Sequence, residues 1–278
     1  MKNLSLNAFT IKLIAIISMG INHASIVLWQ IFPMWSHIIL NFLVGIAFPI
    51  MSFFVVEGFR RTRNVKRYML RLLVFGVIAQ VPYMLAFGIS TLNVVFSILL
   101  GLICINMHEK FYVEQGKKGK FVFLFILMLI VSLITESGPF GILMIFLFKI
   151  IKDEMTRRTI PLVVWGTMMA GSVLVMSGLM LLMNLLGGAD KFTMAIQESS
   201  VGTIGEYAAM TMQFFSIPLG TFLIIPLLRS YNGELGRRAK YLFYTFYPLH
   251  FVVLIIIALA LGLTTLSMPA PIWATFGF

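Results

Sequence analysis

The sequence predicts an all-α, polytopic integral membrane protein: a bundle of about nine transmembrane helices with its N-terminus in the cytoplasm. Three observations point there. First, 60% of the 278 residues are hydrophobic and only 11% are charged, and the mean hydropathy is +0.99. A soluble domain is nearer a quarter charged, so the bilayer is the expected solvent. Second, the apolar residues fall into nine runs of roughly the length a bilayer demands. Third, 20 of the 21 Lys and Arg residues fall on one side of the resulting nine-span arrangement.

The runs are, in order, 9–31, 37–59, 72–90, 93–107, 121–135, 140–151, 160–186, 207–228 and 241–263. A spanning helix needs about twenty apolar residues. The fourth and sixth runs are short and are expected to extend into flanking polar residues. The seventh is long enough to tilt, or to break at Gly171 or Gly178. No linker or internal repeat divides the chain, so residues 1–278 read as one membrane domain. The first run is too long for the core of a signal peptide, and no small-residue cleavage site follows it.

Orientation follows from the basic residues. Arg60 to Arg71 follow the second run, Lys110 to Lys120 the fourth, Lys149 to Arg158 the sixth and Arg229 to Lys240 the eighth, while Lys2 and Lys12 precede or open the first. Only Lys191 falls on the other side. The positive-inside rule then predicts a cytoplasmic N-terminus and an extracytoplasmic C-terminus. The net charge of +11 is thereby read as a topology signal and not as a nucleic-acid surface. The one long outer connection, residues 187–210, is polar and partly acidic. It reads either as a cap over an outward-facing site or as an ordinary surface loop.

Ionisable groups at membrane depth are costly and are functional candidates by default. The stretch "IISMGINHASIVLW" places Asn22 beside His23 in the first run. His23 lies eleven residues past Lys12, about 16 Å along a helix, which predicts a position near the midplane if Lys12 marks the interface. Gln80 is nine residues past Arg71, and His250 nine past Tyr241. All three of these runs start on the cytoplasmic side, so the polar groups are expected at similar depth. His250 follows Pro248, which frees a backbone carbonyl that the imidazole could satisfy. No Asp or Glu falls deep in a run, which argues against a pump built on a carboxylate relay. Glu57 ends the second run, and Glu136 lies at the outer end of the fifth. A histidine alone still serves as a base near neutral pH. With one cysteine, Cys104, neither a disulfide framework nor a cysteine-based metal site is available, and no metal is expected. "EGFRRTRNVKRYMLR", "SYNGELGRRAKY" and Lys12 supply cations suited to phosphate.

Several stretches resemble the TraX-like family of membrane acetyltransferases, the pilin N-acetylase type. They are "IKLIAIISMGINHAS", "GIAFPIMSFFVVEGFRRTRNVKRYMLRLLVFGVIAQVPY", "NVVFSILLGL" and "LLRSYNGELGRRAKYLFYTFYPLHFVVL". Together they cover runs one to four, eight and nine; the middle matches only as hydrophobic helices. That family resembles the type-three membrane acyltransferases, in which a basic residue is followed after ten positions by a histidine. Lys12 and His23 fit that spacing. The chain departs from the family pattern in carrying Asn22 where Asp is usual, Gln80 where Glu is usual, and "ESGPFG" near a usual Asp-Tyr-Gly.

The resemblance implies transfer of an acetyl group from cytoplasmic acetyl-CoA to an acceptor at or beyond the bacterial plasma membrane. The acceptor would be a peptide amine, a sugar hydroxyl or a lipid headgroup. His23 would act as general base or acyl carrier, with Asn22 orienting it. Lys12, Arg60, Arg61, Arg63, Arg67, Arg71, Arg237 and Arg238 would hold the CoA phosphates. Gln80, Glu57, His250 and Tyr247 would form a second polar shell. An asparagine can fix a histidine tautomer but does not stabilise imidazolium as aspartate does. Two other readings fit the same residues: a transporter or flippase without chemistry, and an inactive member that presents a binding surface.

Overall fold

The computed structural model describes residues 5–33, 36–88, 91–185 and 215–263. Each of the nine apolar runs carries a helix. We number them in chain order as α1 (Ala8–Val27), α2 (Ser36–Arg61), α3 (Val65–Phe87), α4 (Val94–Met107), α5 (Lys118–Val131) and α6 (Gly138–Ile150). The short α7 (Glu154–Arg157), α8 (Ile160–Leu185), α9 (Phe215–Arg229) and α10 (Lys240–Ala260) follow. Among the described residues no strand forms; the only β-type pairings are two isolated bridges. Among the described residues six helices are long and apolar enough to cross a membrane, and Gly138–Ile150 and Phe215–Arg229 are shorter apolar helices. The protein is a polytopic helical membrane protein.

Asparagines start three of these helices. Asn7, Asn64 and Asn93 each accept a backbone N–H of the first turn through the side chain, relieving donors that the helix itself leaves unpaired. α3 ends at Gly88 in the left-handed region, φ 64°, where a Cβ would be strained. α4 does extend as expected: it continues through a π-helical segment, His108–Glu114. α6 keeps to 13 residues. α8 runs without a break from Ile160 to Leu185, so neither Gly171 nor Gly178 interrupts it. The outer connection 187–210, Lys191 and the first part of run eight lie outside the described residues.

α1 packs on α2, α3 and α10; α3 on α4 and α10; α4 on α6; and α6 on α2 and α8. α2 crosses α9 at Gly45 and Gly220. A side chain at Gly45 would strike the Ile217 carbonyl, and one at Gly220 the Phe42 carbonyl. Small residues at such a crossing allow the close backbone approach that membrane helices rely on. Two apolar clusters result. One joins α1, α2, α3, α4, α6, α8 and α9. The other joins α1, α3 and α10 around Ile16, Met19, Tyr83, Tyr247, Phe251 and Leu254.

The basic loops meet at one end of the bundle. Arg61 Nη2 donates to the carbonyl of Gly233 (2.8 Å) and Arg158 Nη1 to that of Tyr231 (2.9 Å). Lys149 pairs with Glu109 at 2.7 Å. At the opposite end Leu92 bridges to Thr135, and Val94 N–H donates to Glu136. This is the end that the positive-inside rule expects on the cytoplasmic side.

Candidate functional site

His23 lies four residues from the end of α1, and His250 sits midway along α10. Both are buried. Nδ1 of His23 is 2.7 Å from Nε2 of His250. The rings are near-parallel, 5.0 Å apart, and His23 also stacks on Phe251 at 4.9 Å and meets Phe87 edge-on at 5.2 Å. The other nitrogen of His250, Nδ1, is 2.9 Å from the Phe246 carbonyl. A carbonyl only accepts, so His250 Nδ1 carries a proton. In the neutral ring that leaves Nε2 as the acceptor, so His23 Nδ1 is the donor. The chain of hydrogen bonds therefore fixes both tautomers and leaves the lone pair of His23 on Nε2.

This geometry revises the expected positions. His23 touches both Phe87, the last residue of α3, and His250, midway along α10. Lys12 is half-buried, with Nζ 4.8 Å above Phe54 and 5.7 Å from Phe243. His250 does satisfy a carbonyl, but that of Phe246. The carbonyl that Pro248 leaves without its helical donor is that of Tyr244, four residues earlier. His250, and not Asn22, holds His23. Asn22 points elsewhere on α1, and its buried Oδ1 has no hydrogen-bond partner. Gln80 makes none of its hydrogen bonds to the histidines. Its amide donates to the Thr91 carbonyl and its Oε1 accepts from Asn93 N–H and Nδ2, tying α3 to the start of α4.

A cavity of about 640 Å³ opens among α1, α2, α3, α4 and α10. Lys12, Arg237 and Arg238 line its basic end; Met19 and Tyr247 line it further in. Met19 is one helical turn before His23, and Tyr247 just under one turn before His250, so the cavity runs toward the histidine pair without including it. The buried Tyr247 Oη makes no hydrogen bond of ordinary geometry. Tyr68 and Tyr244 line the wall between, with Arg71 lying against Tyr68 at 5.7 Å. A volume of this size falls within the usual range for small-molecule sites.

The cations of the expected phosphate set divide. Arg60 reaches Glu154 at 3.4 Å and Glu57 at 3.9 Å. Arg61 reaches Glu57 at 3.2 Å and the Tyr231 hydroxyl at 3.2 Å. Glu57 is thus not a polar shell around His23 but the hub of an ion network, whose third cation, Arg157, pairs with it at 2.9 Å. Arg63 and Arg67 are exposed on the α2–α3 side of the basic end and do not line the cavity. Lys12, Arg237 and Arg238 form no ion pair with a described carboxylate, and they do line it. Among the described residues no group of three or more His, Cys, Asp and Glu side chains gathers to hold a metal.

Sequence reasoning missed two features. One is Arg157, 1% exposed, read there only as a topology charge. The other is the aromatic wall of α10. Its signal was present: Tyr241, Tyr244 and Tyr247 recur every third residue, a spacing that keeps side chains on neighbouring parts of one helix face, and all three line the cavity.

Compared with known proteins, residues 8–258 match the family described as TraX protein. The chain is 29% identical over 267 residues to the probable fimbrial assembly protein FimC, serogroup H1, of Dichelobacter nodosus, covering 91% of this chain and 96% of that protein. No solved structure matches. With the family match running through nearly every described helix, including those carrying His23 and His250, the chain belongs to the TraX family.

Proposed function

We propose that this TraX-family protein is an acetyl-CoA-dependent membrane acetyltransferase of the bacterial plasma membrane. The observation that carries the reading is the cavity: a basic mouth at the cytoplasmic end, an apolar and aromatic body, and an inner end one helical turn from a hydrogen-bonded histidine pair. Lys12, Arg237 and Arg238 would hold the CoA phosphates, with Arg71 behind Tyr68 and Tyr244. The acetyl thioester would extend inward past Met19 and Tyr247. His23 Nε2, the free lone pair of the pair, would take the proton of the acceptor nucleophile as it attacks the thioester carbonyl. The C–S bond then breaks, and the CoA thiolate leaves and is protonated. His250 holds His23 in the tautomer this requires, the part a carboxylate plays in a triad. Acyl transfer through Nε2 itself is the same geometry with the histidine as first acceptor. The similarity to a probable fimbrial assembly protein favours a surface-appendage peptide as the acceptor over a glycan or lipid.

Binding tests this reading. Purified protein in detergent should bind labelled acetyl-CoA saturably, with an affinity that falls as salt rises. Each hydrogen bond to a charged group contributes about 1.5–3 kcal/mol. The triple variant Lys12→Gln/Arg237→Gln/Arg238→Gln should therefore bind at least about tenfold more weakly. Equal affinity in a folded triple variant would remove the cavity as the CoA site.

A further inference from the structure

The segment that precedes α1 is laced to the loop between α9 and α10. Leu6 N–H donates to the Ser230 carbonyl (2.8 Å), and Asn232 N–H to that of Leu6 (2.9 Å). Ala8 N–H donates to Glu234 (2.8 Å) and Phe9 N–H to Leu235 (3.2 Å). The four bonds climb the loop in step with the strap. The next residue, Gly236, has φ +66°, and a Cβ there would overlap the side chain of Asn7. Asn7 is itself fixed, since its Oδ1 accepts from both the backbone N–H and the hydroxyl of Thr10 (3.0 and 3.1 Å). Arg237 and Arg238 follow at once, at the cavity mouth. Lys12 lies on the same helix that Asn7 caps. The strap thus ties the three unpaired cations of the mouth to one rigid unit.

We propose that residues 6–9 are a positioning element for the phosphate end of the site, with Asn7 and Gly236 as positioning residues that set Arg237 and Arg238 against Lys12. The proposal rests on the reading of the mouth as the CoA phosphate site. Long cationic side chains lose rotamer freedom when they bind. A loop already fixed in register removes part of that cost in advance, and only a residue without a Cβ lets the loop lie this close to Asn7 in a left-handed turn.

The test compares two glycines of the same loop. Gly233 also has a positive φ, +84°, but open space around it. Gly233→Ala therefore strains the backbone without touching Asn7, whereas Gly236→Ala does both. Acetyl-CoA affinity and its salt dependence are measured for wild type and both variants, with thermal unfolding as a control. Gly236→Ala should bind about tenfold more weakly and with a flatter salt dependence; Gly233→Ala should stay within about twofold of wild type. Asn7→Gly leaves α1 a cap nearly as good as Asn and should also flatten the salt dependence; it carries the test if Gly236→Ala does not fold. A merely structural role would lower thermal stability and leave the salt dependence alone. Wild-type affinity and salt dependence in the Gly236 and Asn7 variants would overturn the positioning role while the CoA reading stands. Failure of wild type itself to bind would overturn both, and is visible before any variant is compared.

Discussion

At the basic end of the bundle, Arg157 is enclosed by Glu57 and Glu154, with both Nη atoms on carboxylate oxygens at 2.7–2.9 Å and its guanidinium over Phe53 at 4.9 Å. Lys12, Arg237 and Arg238 sit at the same end, line an open cavity, and have no described carboxylate within ion-pair distance. The chemistry of the four side chains is alike; the difference lies in what faces them. A buried cation must have its charge matched inside the protein. Glu57, itself buried, supplies that match and joins α2 to α7. The cations of the mouth lack this internal match and remain available to an anionic ligand. The comparison teaches that, in a protein this basic, positive charge alone does not separate structural cations from those open to a ligand; burial against a carboxylate marks the first, and a place on the cavity wall without one marks the second.

The two corners should therefore break in opposite ways. The largest effect is expected at Arg157. Removing one partner of a buried ion pair costs about 3–5 kcal/mol; with Arg60 and Arg61 still beside Glu57, Arg157→Met should fall at the low end of that range, read as thermal or denaturant unfolding in detergent. Adding Glu57→Gln should restore part of the loss, since the stranded charge is then gone. Arg237→Gln/Arg238→Gln should change stability by less than about 0.5 kcal/mol, as exposed substitutions do. A large loss of stability there, or none at Arg157, would dissolve the distinction between the corners.

Much of this fold was legible in the residues. Each of the nine apolar runs carries a helix, because backbone groups in a bilayer must pair within their own segment. The approach of the first and last spans was legible as well: His23 and His250 were placed at similar depth by counting from the cytoplasmic ends, and they touch. What counting along single helices cannot supply is partnership across the bundle. Glu57 and Arg157 lie 100 residues apart, so nothing local marks Arg157 as buried. Gln80 read as a companion of His23 by depth, yet its amide is taken up by Thr91 and Asn93. Asn22 read as the orienting group by adjacency, yet neighbours on a helix diverge by about 100° around the axis, 3.6 residues making a turn. Lys12 read as a charge near the cytoplasmic end, and nothing local showed that its ammonium lies against Phe54 and Phe243.

An exposed ion pair sharpens the comparison from the other side. Lys149 and Glu109 form a short pair, 2.7 Å, but Glu109 is more than a third exposed. Exposed pairs contribute roughly 0–1 kcal/mol. Glu109→Gln should therefore lower stability by no more than about 1 kcal/mol, and by less in high salt, well short of the loss at Arg157. Equal losses at the two sites would show that burial does not separate them.

The central claim is that the histidine pair beyond the cavity does chemistry, and the acetyl-transfer rate of His23→Ala tests it most directly. Membrane vesicles with the cytoplasmic face outward are supplied with labelled acetyl-CoA, and label is followed into membrane peptides, glycans and lipids. A proton-transferring side chain contributes about a hundred- to ten-thousand-fold in rate, whereas a hydrogen bond between membrane helices averages only about 0.6 kcal/mol. His23→Ala should lose at least a hundredfold in transfer while inserting, folding and binding acetyl-CoA like wild type. A rate near that of wild type would make the pair a structural contact and contradict the assignment of acetyl transfer to this site.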